Sequence, residues 1–531
     1  MYLNKSDLPK ILLWFSFFII GCIIYDDYGI PWDETAMRGI GVVNLNYIIK
    51  TLPLFENFGI VLSNSNYNLL TFQDRYYGPF LEIIMIIFDV IFRSDLEPDR
   101  SIYLIRHFFN FTLFSISLIF FYKTLRILKF NIYYSLFGCF ILVTSPRIFA
   151  NSFYNEKDLG FMCIYIITSY FLFNYYKRQT LTNLILLSIF SGILVDIRIM
   201  ALILPFTFIL FQVHYICISS KPKVLLYHTA LFMFITILVI FLFRPILWHD
   251  PINEFINILN KMSKYPFTDK MLYLGKFVKP NNLPWHYPFV WITITTPILY
   301  LLFFIGGIIY VILRFKQLIK INMIFVYYIS FIIMWLTIPL LTFVIFKPTL
   351  LDGWRHLYFI YPAIVIFSVY GFSQLIKFMK LKINTYKTPI FCMFYLVVTF
   401  SILDTIKFMV QYHPHQNVYF NLISKYPNKR IKLNYELDYW GLSYKQALEY
   451  ILKYDLSDKI YVKSSNSPGI INAENFVKSE KRRLIFVKSL NEAQYYISNY
   501  RWHSNEYSFG ENIYSILVNG ENIMSVIYLK N

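Results

Sequence analysis

Charge is scarce in this chain: Asp, Glu, Lys and Arg make up only 15% of its 531 residues, against roughly 25% in soluble domains. A soluble enzyme is thereby excluded. Glycine is scarce too, at 18 residues, about half its usual share, which speaks against a transporter built on Gly-interrupted helices in repeated halves. The five cysteines (Cys22, Cys139, Cys163, Cys217, Cys392) all fall inside apolar stretches. Neither a disulfide framework nor a paired zinc motif is available to them, and they read as small core hydrophobes. Acidic residues are outnumbered, 31 against 49 Lys and Arg, for a formal charge of +18. In a soluble protein that excess would point to nucleic acid; here its distribution excludes that partner, because the basic residues cluster between apolar runs.

Apolar residues make up 57% of the chain and aromatics 20%, with a mean hydropathy of +0.49. Runs that approach the thickness of a hydrocarbon layer, about 30 Å, lie near 11–25, 103–122, 132–146, 159–176, 182–198, 199–217, 226–243, 289–313, 321–346, 357–376 and 388–408. Eleven spans are expected. Lys5 and Lys10 precede the first, and no small-residue cleavage site follows it, so it reads as an uncleaved span. A further run, 78–93, is interrupted by Glu82 and Asp89, whose spacing puts both carboxylates on one helical face. It is expected as an amphipathic helix lying at the surface.

Leaving 78–93 out puts Lys5, Lys10, Lys123/Arg126/Lys129, Lys177/Arg178, Lys221/Lys223, Arg314/Lys316/Lys320 and Lys377/Lys380/Lys382/Lys387 on one side, with Asp7 as the one acid among them. That side is the cytoplasm by the positive-inside rule. The N-terminus is then cytoplasmic and the C-terminus outside. The outer side receives 26–102, 147–158, 244–288 and 411–531, and most of the histidines (His107, His249, His286, His356, His413, His415, His503) lie on or next to it. Short β-type runs at 459–462, 484–487 and 513–518, separated by Asn, Ser and Gly, predict a small α/β outer domain. The expected fold is thus all-α and polytopic over 1–410, with an extracytoplasmic α/β domain over 411–531.

The first outer loop opens Tyr25-Asp26-Asp27-Tyr28-Gly29-Ile30-Pro31-Trp32-Asp33-Glu34, four carboxylates directly after a span. They read either as a solvated loop start or as a general base or cation site at the membrane edge. Arg38 follows Glu34 at i+4, within reach of it on a helical turn. The second outer loop ends Asn155-Glu156-Lys157-Asp158. Glu156 and Asp158 could ligate a divalent cation, while Lys157 between them favours an ion-paired turn. Asp196, Arg198, Arg106 and His107 add ionisable groups at similar depth, each readable as a helix-end anchor. Residues Asp352-Gly353-Trp354-Arg355-His356 begin the tenth span. An Arg-His pair entering an apolar helix is costly unless it meets an anion or snorkels, and Arg offers a donor fork suited to phosphate. Arg244 and the Trp248-His249-Asp250-Pro251 turn form one more cluster, equally readable as an aromatic belt.

An Asp-Glu pair in a first outer loop, an Asp-ended second loop and an Arg-aromatic-Pro helix start together resemble the GT-C membrane glycosyltransferases, in particular family 39, the protein O-mannosyltransferase and aminoarabinose-transferase-like group. The resemblance runs in order and topology over 1–410. It extends to His413-Pro414-His415-Gln416-Asn417-Val418-Tyr419-Phe420-Asn421 and Tyr435-Glu436-Leu437-Asp438-Tyr439-Trp440-Gly441, without the Gly-Gly that follows Tyr-Phe-Asn in many members. It implies transfer of a sugar from a polyprenyl-phosphate carrier to a lipid, glycan or protein acceptor at the outer leaflet. The catalytic acid maps onto Asp33 with Glu34 beside it, the second-loop acid onto Asp158, and the phosphate-facing arginine onto Arg355. Lys157, Arg38, Arg244 and His356 are further candidates for the phosphate, and a divalent metal at Glu156 and Asp158 stays open.

Two other readings compete. A lipid or solute transporter or flippase would also place charges in the membrane, and a non-catalytic scaffold would present 411–531. The second has no use for acids and cations on three separate outer loops. Membrane lipids are the remaining expected partners, and the Ile, Lys, Asn, Tyr and Phe-rich composition points to a bacterial inner (plasma) membrane.

Overall fold

The computed structural model describes residues 8–52, 68–94, 96–263, 265, 267, 269–321, 323–382, 388–427 and 430–529. Lys5, Asp7 and Lys387 of the expected cytoplasmic charge set lie outside them. The chain opens with α1 (Leu8–Ile24), α2 (Glu34–Thr51), α3 (Phe80–Phe92) and α4 (Pro98–Ile127). Next come α5 (Ile132–Val143), α6 (Pro146–Tyr154), α7 (Asp158–Lys177) and α8 (Leu181–Ile197). Then follow α9 (Ile203–Ile218), α10 (Pro222–Phe243), α11 (Pro251–Ser263), α12 (Tyr287–Thr295), α13 (Ile298–Ile321) and α14 (Met323–Phe346). The helical body closes with α15 (Tyr361–Lys382), entered through a 3-10 turn over Arg355–Ile360, and α16 (Thr388–Gln411).

Among the described residues, seven helices are long and apolar enough to cross a membrane, and an eighth span arises if α5 and α6, bent by 68° across Thr144-Ser145, count as one. Lys10–Ile24, Leu181–Ile197 and Ile298–Arg314 are shorter apolar helices. Each of the eleven expected segments contains a helix, though not all reach full span length, and 289–313 is divided between α12 and α13 at Thr296-Pro297. The protein is an integral membrane protein. Its centre is α7, with 89% of its apolar window buried, and the Arg355–Lys380 segment, with 83%; α16, at 22%, turns its apolar surface outward. Such a helix has no reason to expose Val397, Phe400 and Leu403 except to lipid.

The helix over 78–93 corrects the sequence expectation. Its carboxylates do lie together, but Glu82 and Asp89 are buried, 4% and 3% exposed, while Ile91 and Phe92 are more than 60% exposed. The polar face of α3 points into the protein because α4 supplies Arg106, 2.7 Å from Glu82, and α2 supplies Arg38, 3.5 Å from Asp89. Fixed cations inside outcompete water at the surface.

After α17 (Tyr444–Tyr454) the C-terminal region forms a five-stranded mixed sheet, in line with the α/β expectation. A two-stranded hairpin precedes it in the chain, β1 (Met271–Tyr273) and β2 (Lys276–Val278). The main sheet contains β3 (Ile460–Ser464), β4 (Leu484–Phe486), β5 (Tyr495–Ser498), β6 (Glu511–Val518) and β7 (Glu521–Tyr528), in the order β4-β3-β5-β7-β6. The β6–β7 hairpin turns on Asn519 and Gly520, both at positive φ, the pair that a two-residue type I′ turn favours. The loop after α1 is bound to this region. Ile30 N–H donates to Asn472 at 2.9 Å, and Trp32 N–H donates to the Trp440 carbonyl at 3.1 Å. Tyr28 stacks on Phe153 at 4.5 Å, and Phe153 on Phe111 at 4.7 Å. Gly29 is required here, since a Cβ would overlap the Leu442 carbonyl.

The orientation expected from the basic clusters has a direct test. In a background with the native cysteines replaced, Ser457→Cys, on the exposed edge of the C-terminal region, reacts with an impermeant thiol reagent added outside intact cells. Gln317→Cys, exposed at the opposite end of α13, reacts only after permeabilisation. The reverse pattern would invert the topology.

Candidate active site

Four acidic residues open the loop between α1 and α2, and the fold gives each a different neighbour. Asp26 lies beside Lys445, whose ammonium bonds to its carbonyl oxygen. Asp27 Oδ2 is 2.7 Å from His413 Nε2. Asp33 and Glu34 straddle the start of α2, where successive side chains diverge by about 100°, and they part company. Glu34 is fully buried between Arg106 (3.4 Å) and His107 (3.3 Å). Asp33, with 30% of its side chain exposed, accepts from Arg355 Nη1 at 2.8 Å.

The same divergence splits the second loop at the start of α7. Glu156 turns to Arg106 at 3.2 Å, joining Glu34 and Glu82 around that one guanidinium. Burial, and then the charge of Glu82, hold the Glu156 carboxyl well above its ordinary pKa, as expected for a carboxylate crowded by another in a buried site. The role of this cluster is cohesion: removing Arg106 would strand buried carboxylates, a change that costs about 3–5 kcal/mol. Lys157 stands over the Tyr77 ring at 3.6 Å. Asp158, 1% exposed, accepts from Arg355 at 3.2 Å, from Arg198, and from the Asn155 amide at 3.3 Å. Glu156 and Asp158, which the sequence left open as cation ligands, each pair with arginine: Glu156 with Arg106, Asp158 with Arg355 and Arg198. Among the described residues no group of three or more His, Cys, Asp or Glu is placed to hold a metal ion.

Around Arg355 the structure assembles alternating charges. Asp33 and Asp158 lie on one side, and Asp352, 3.9 Å from Nη2, on the other. Asp352 in turn accepts from Arg501 of the C-terminal region at 3.1 Å. The Trp440 ring lies under the Arg355 guanidinium at 4.5 Å, and Trp32 and Trp502 flank Arg501 at 5.2 and 4.8 Å. Backbone strain accompanies this construction: Asp352, Tyr500 and Trp502 all adopt positive φ, a conformation that costs of order 1–3 kcal/mol each and persists where surrounding contacts impose it. Burial pushes the Asp33 carboxyl up, but Arg355, Lys157 and Arg501 outweigh it and hold it below the ordinary value. Burial, reinforced by Arg198, pulls Lys157 down to about 7 against the attraction of Asp33.

Of the expected site residues, Asp33, Asp158, Lys157 and Arg355 come together, with His356 adjoining them. Glu34 and Glu156 belong to the Arg106 cluster. Arg38 is engaged by Asp89, and Arg244 by Asp196 (3.5 Å) and by the Tyr76 and Asp196 carbonyls, so neither is placed beside Arg355. From sequence, Arg198 reads as a helix-end anchor, Asp352 and Trp440 stand without a role, and neither Arg501 nor Tyr77 is singled out. A signal existed for Arg198, an arginine entering an apolar run; for Arg501, 149 residues from Asp352, there was none.

The fold and this cluster define an integral membrane protein whose charged site lies at one end of its helical body, beneath a C-terminal sheet domain. The sequence matches no family model and none of the curated proteins. In fold, the chain is similar to ArnT from Cupriavidus metallidurans, in a crystal structure bound to undecaprenyl phosphate (9% identity, 98% of each chain covered, TM-score 0.47). It is similar also to the apo form of that protein (10%, 98% of each chain, 0.46) and to an Archaeoglobus fulgidus oligosaccharyltransferase in complex with Zn and sulfate (12%, 80% of this chain and 59% of that one, 0.42).

Proposed function

We propose that the protein is a membrane glycosyltransferase that moves a sugar from a polyprenyl-phosphate donor to an acceptor at the outer face, with Asp33 as the base. The observation that carries this reading is a partly exposed carboxylate bonded to a buried arginine, with Lys157 and Arg198 beside them, at the end of a membrane helical bundle. A hydroxyl acceptor needs a proton acceptor as it attacks the anomeric carbon, and the leaving lipid phosphate needs fixed positive charge. The acceptor oxygen forms a bond to the anomeric carbon, the bond from that carbon to the phosphate oxygen breaks with its electron pair going to phosphate, and the acceptor's proton passes to Asp33. A glycoside and polyprenyl phosphate result.

While Arg355 is bonded to it, Asp33 is a poor base, because the guanidinium stabilises its charged form. A donor phosphate that engages Arg355 competes with Asp33 for the guanidinium and raises the carboxylate's basicity at the moment it is required. Asp158, buried under two arginines, acts as their fixed counter-charge and not as a second proton acceptor. The test is binding and transfer with purified protein: it should bind undecaprenyl phosphate, and cells lacking the protein should lose a glycolipid or glycoprotein detectable by mass spectrometry. Absence of both would remove the reading.

A further inference from the structure

We propose that the cavity between Asp74, Tyr77 and Tyr265 is the subsite for the sugar ring of the donor, built for a neutral ring with free hydroxyls; this rests on the donor reading above. The cavity encloses about 250 Å³ and is lined by Gln73, Asp74, Tyr77, Lys261, Met262 and Tyr265 among others. Ligands of drug size occupy about 300–1,000 Å³, so this space suits one ring and not a lipid chain.

One ring, that of Tyr77, separates the cavity from the charged site. The Tyr77 ring that lines the cavity carries the Lys157 ammonium 3.6 Å from its centre, and Lys157 lies within electrostatic reach of Asp33 and Asp74 at once. A ring held here and joined to a phosphate at Arg355 would span Lys157, with its anomeric carbon on the Asp33 side.

The lining chemistry favours a polyol over the alternatives. The rings of Tyr77 and Tyr265 are 5.6 Å apart and tilted by 55°, offering flat apolar surface to the C–H face of a sugar. The Tyr265 hydroxyl donates to Asp74 Oδ1 at 3.2 Å, which steadies the carboxylate and leaves its second oxygen as an acceptor for a ligand hydroxyl. Tyr265 is itself held through its carbonyl by Thr349 at 3.1 Å, three residues before Asp352. A phosphate is less well served, since it would meet the Asp74 carboxylate and, with the Arg75 guanidinium engaged by the Phe72 carbonyl (3.0 Å) and the Tyr76 hydroxyl (3.1 Å), would have Lys261 as its main donor. An acyl chain is disfavoured by the carboxylate.

The test compares, on the full-length purified protein, affinity for bare undecaprenyl phosphate with affinity for undecaprenyl-phosphate-linked glucose, mannose, galactose and arabinose. The wild type should prefer at least one glycosylated lipid. Asp74→Asn should cut that preference by about 10- to 100-fold, the range of a lost hydrogen bond to a charged group, with affinity for the bare lipid unchanged; Tyr265→Phe should cut it less. A preference that survives Asp74→Asn would overturn the subsite, as would an equal loss for bare and glycosylated lipid. A wild type that binds bare lipid with no preference overturns the subsite alone. A wild type that binds none of these lipids removes the donor reading and the subsite with it.

Discussion

Asp33→Asn lowers turnover by about 10²–10⁴-fold, the range that a positioned general base contributes, in a protein that still folds and inserts. The substitution keeps size and removes the proton acceptor. Stability is little affected, because Asp158 and Asp352 remain within 4 Å of the buried Arg355 guanidinium as its counter-charges. Steady-state rates with purified protein and its donor, beside thermal unfolding of the same preparation, provide the check. The wild-type pH profile carries a second signature. Arg355, Lys157 and Arg501 hold the free-enzyme carboxyl low, and a bound phosphate withdraws part of that stabilisation. The acid limb of kcat, which reports the complex, should therefore lie at higher pH than that of kcat/KM, which reports the free enzyme. Near-normal turnover of Asp33→Asn, or coincident limbs, would assign the proton to another group.

Arg355→Ala weakens donor binding by at least about 30-fold, the lower end of the cost of about 2–5 kcal/mol for truncating one partner of a buried charge pair. The loss has two sources. The phosphate forfeits its two-pronged donor, and Asp33, Asp158 and Asp352, all within 4 Å of the guanidinium, are left to repel both one another and the incoming anion. Arg355→Lys should restore part of the affinity, since an ammonium returns the charge without the fork and without the guanidinium's stacking on Trp440. Affinity for undecaprenyl phosphate, measured by direct binding at equal folded fraction, separates the role from mere unfolding. Unchanged affinity in a folded Arg355→Ala protein would pass the phosphate to Arg198 and Lys157.

The helical body was legible because hydrocarbon leaves a backbone few options: apolar runs of sufficient length become helices wherever they fall. The C-terminal sheet was legible for a related reason, since short β-branched and aromatic runs between Asn, Ser and Gly have little else to form. Inference stopped at side-chain direction. Glu34 stood next to Asp33 and Glu156 two residues from Asp158, and adjacency in sequence read as adjacency in space. At a helix start, neighbouring side chains point to different sides, so one of each pair went to Arg106 and the other to Arg355. The surface position expected for α3 failed likewise: the spacing of Glu82 and Asp89 defined a polar face, but which way it points depends on Arg106 and Arg38, contributed by other helices.

By itself, then, the sequence determined a membrane-embedded helical body, a C-terminal sheet, and a short set of acids and cations at one end, because burial of apolar surface and local backbone preference act along the chain. Which of those charges meet was decided by tertiary structure alone. Asp33 and Arg355 are 322 residues apart, and Arg501 reaches Asp352 from the far end of the chain. A charge buried in a low-dielectric interior is stable only against a partner, and only the packing of α2, α7, α15 and the C-terminal region says which partner that is.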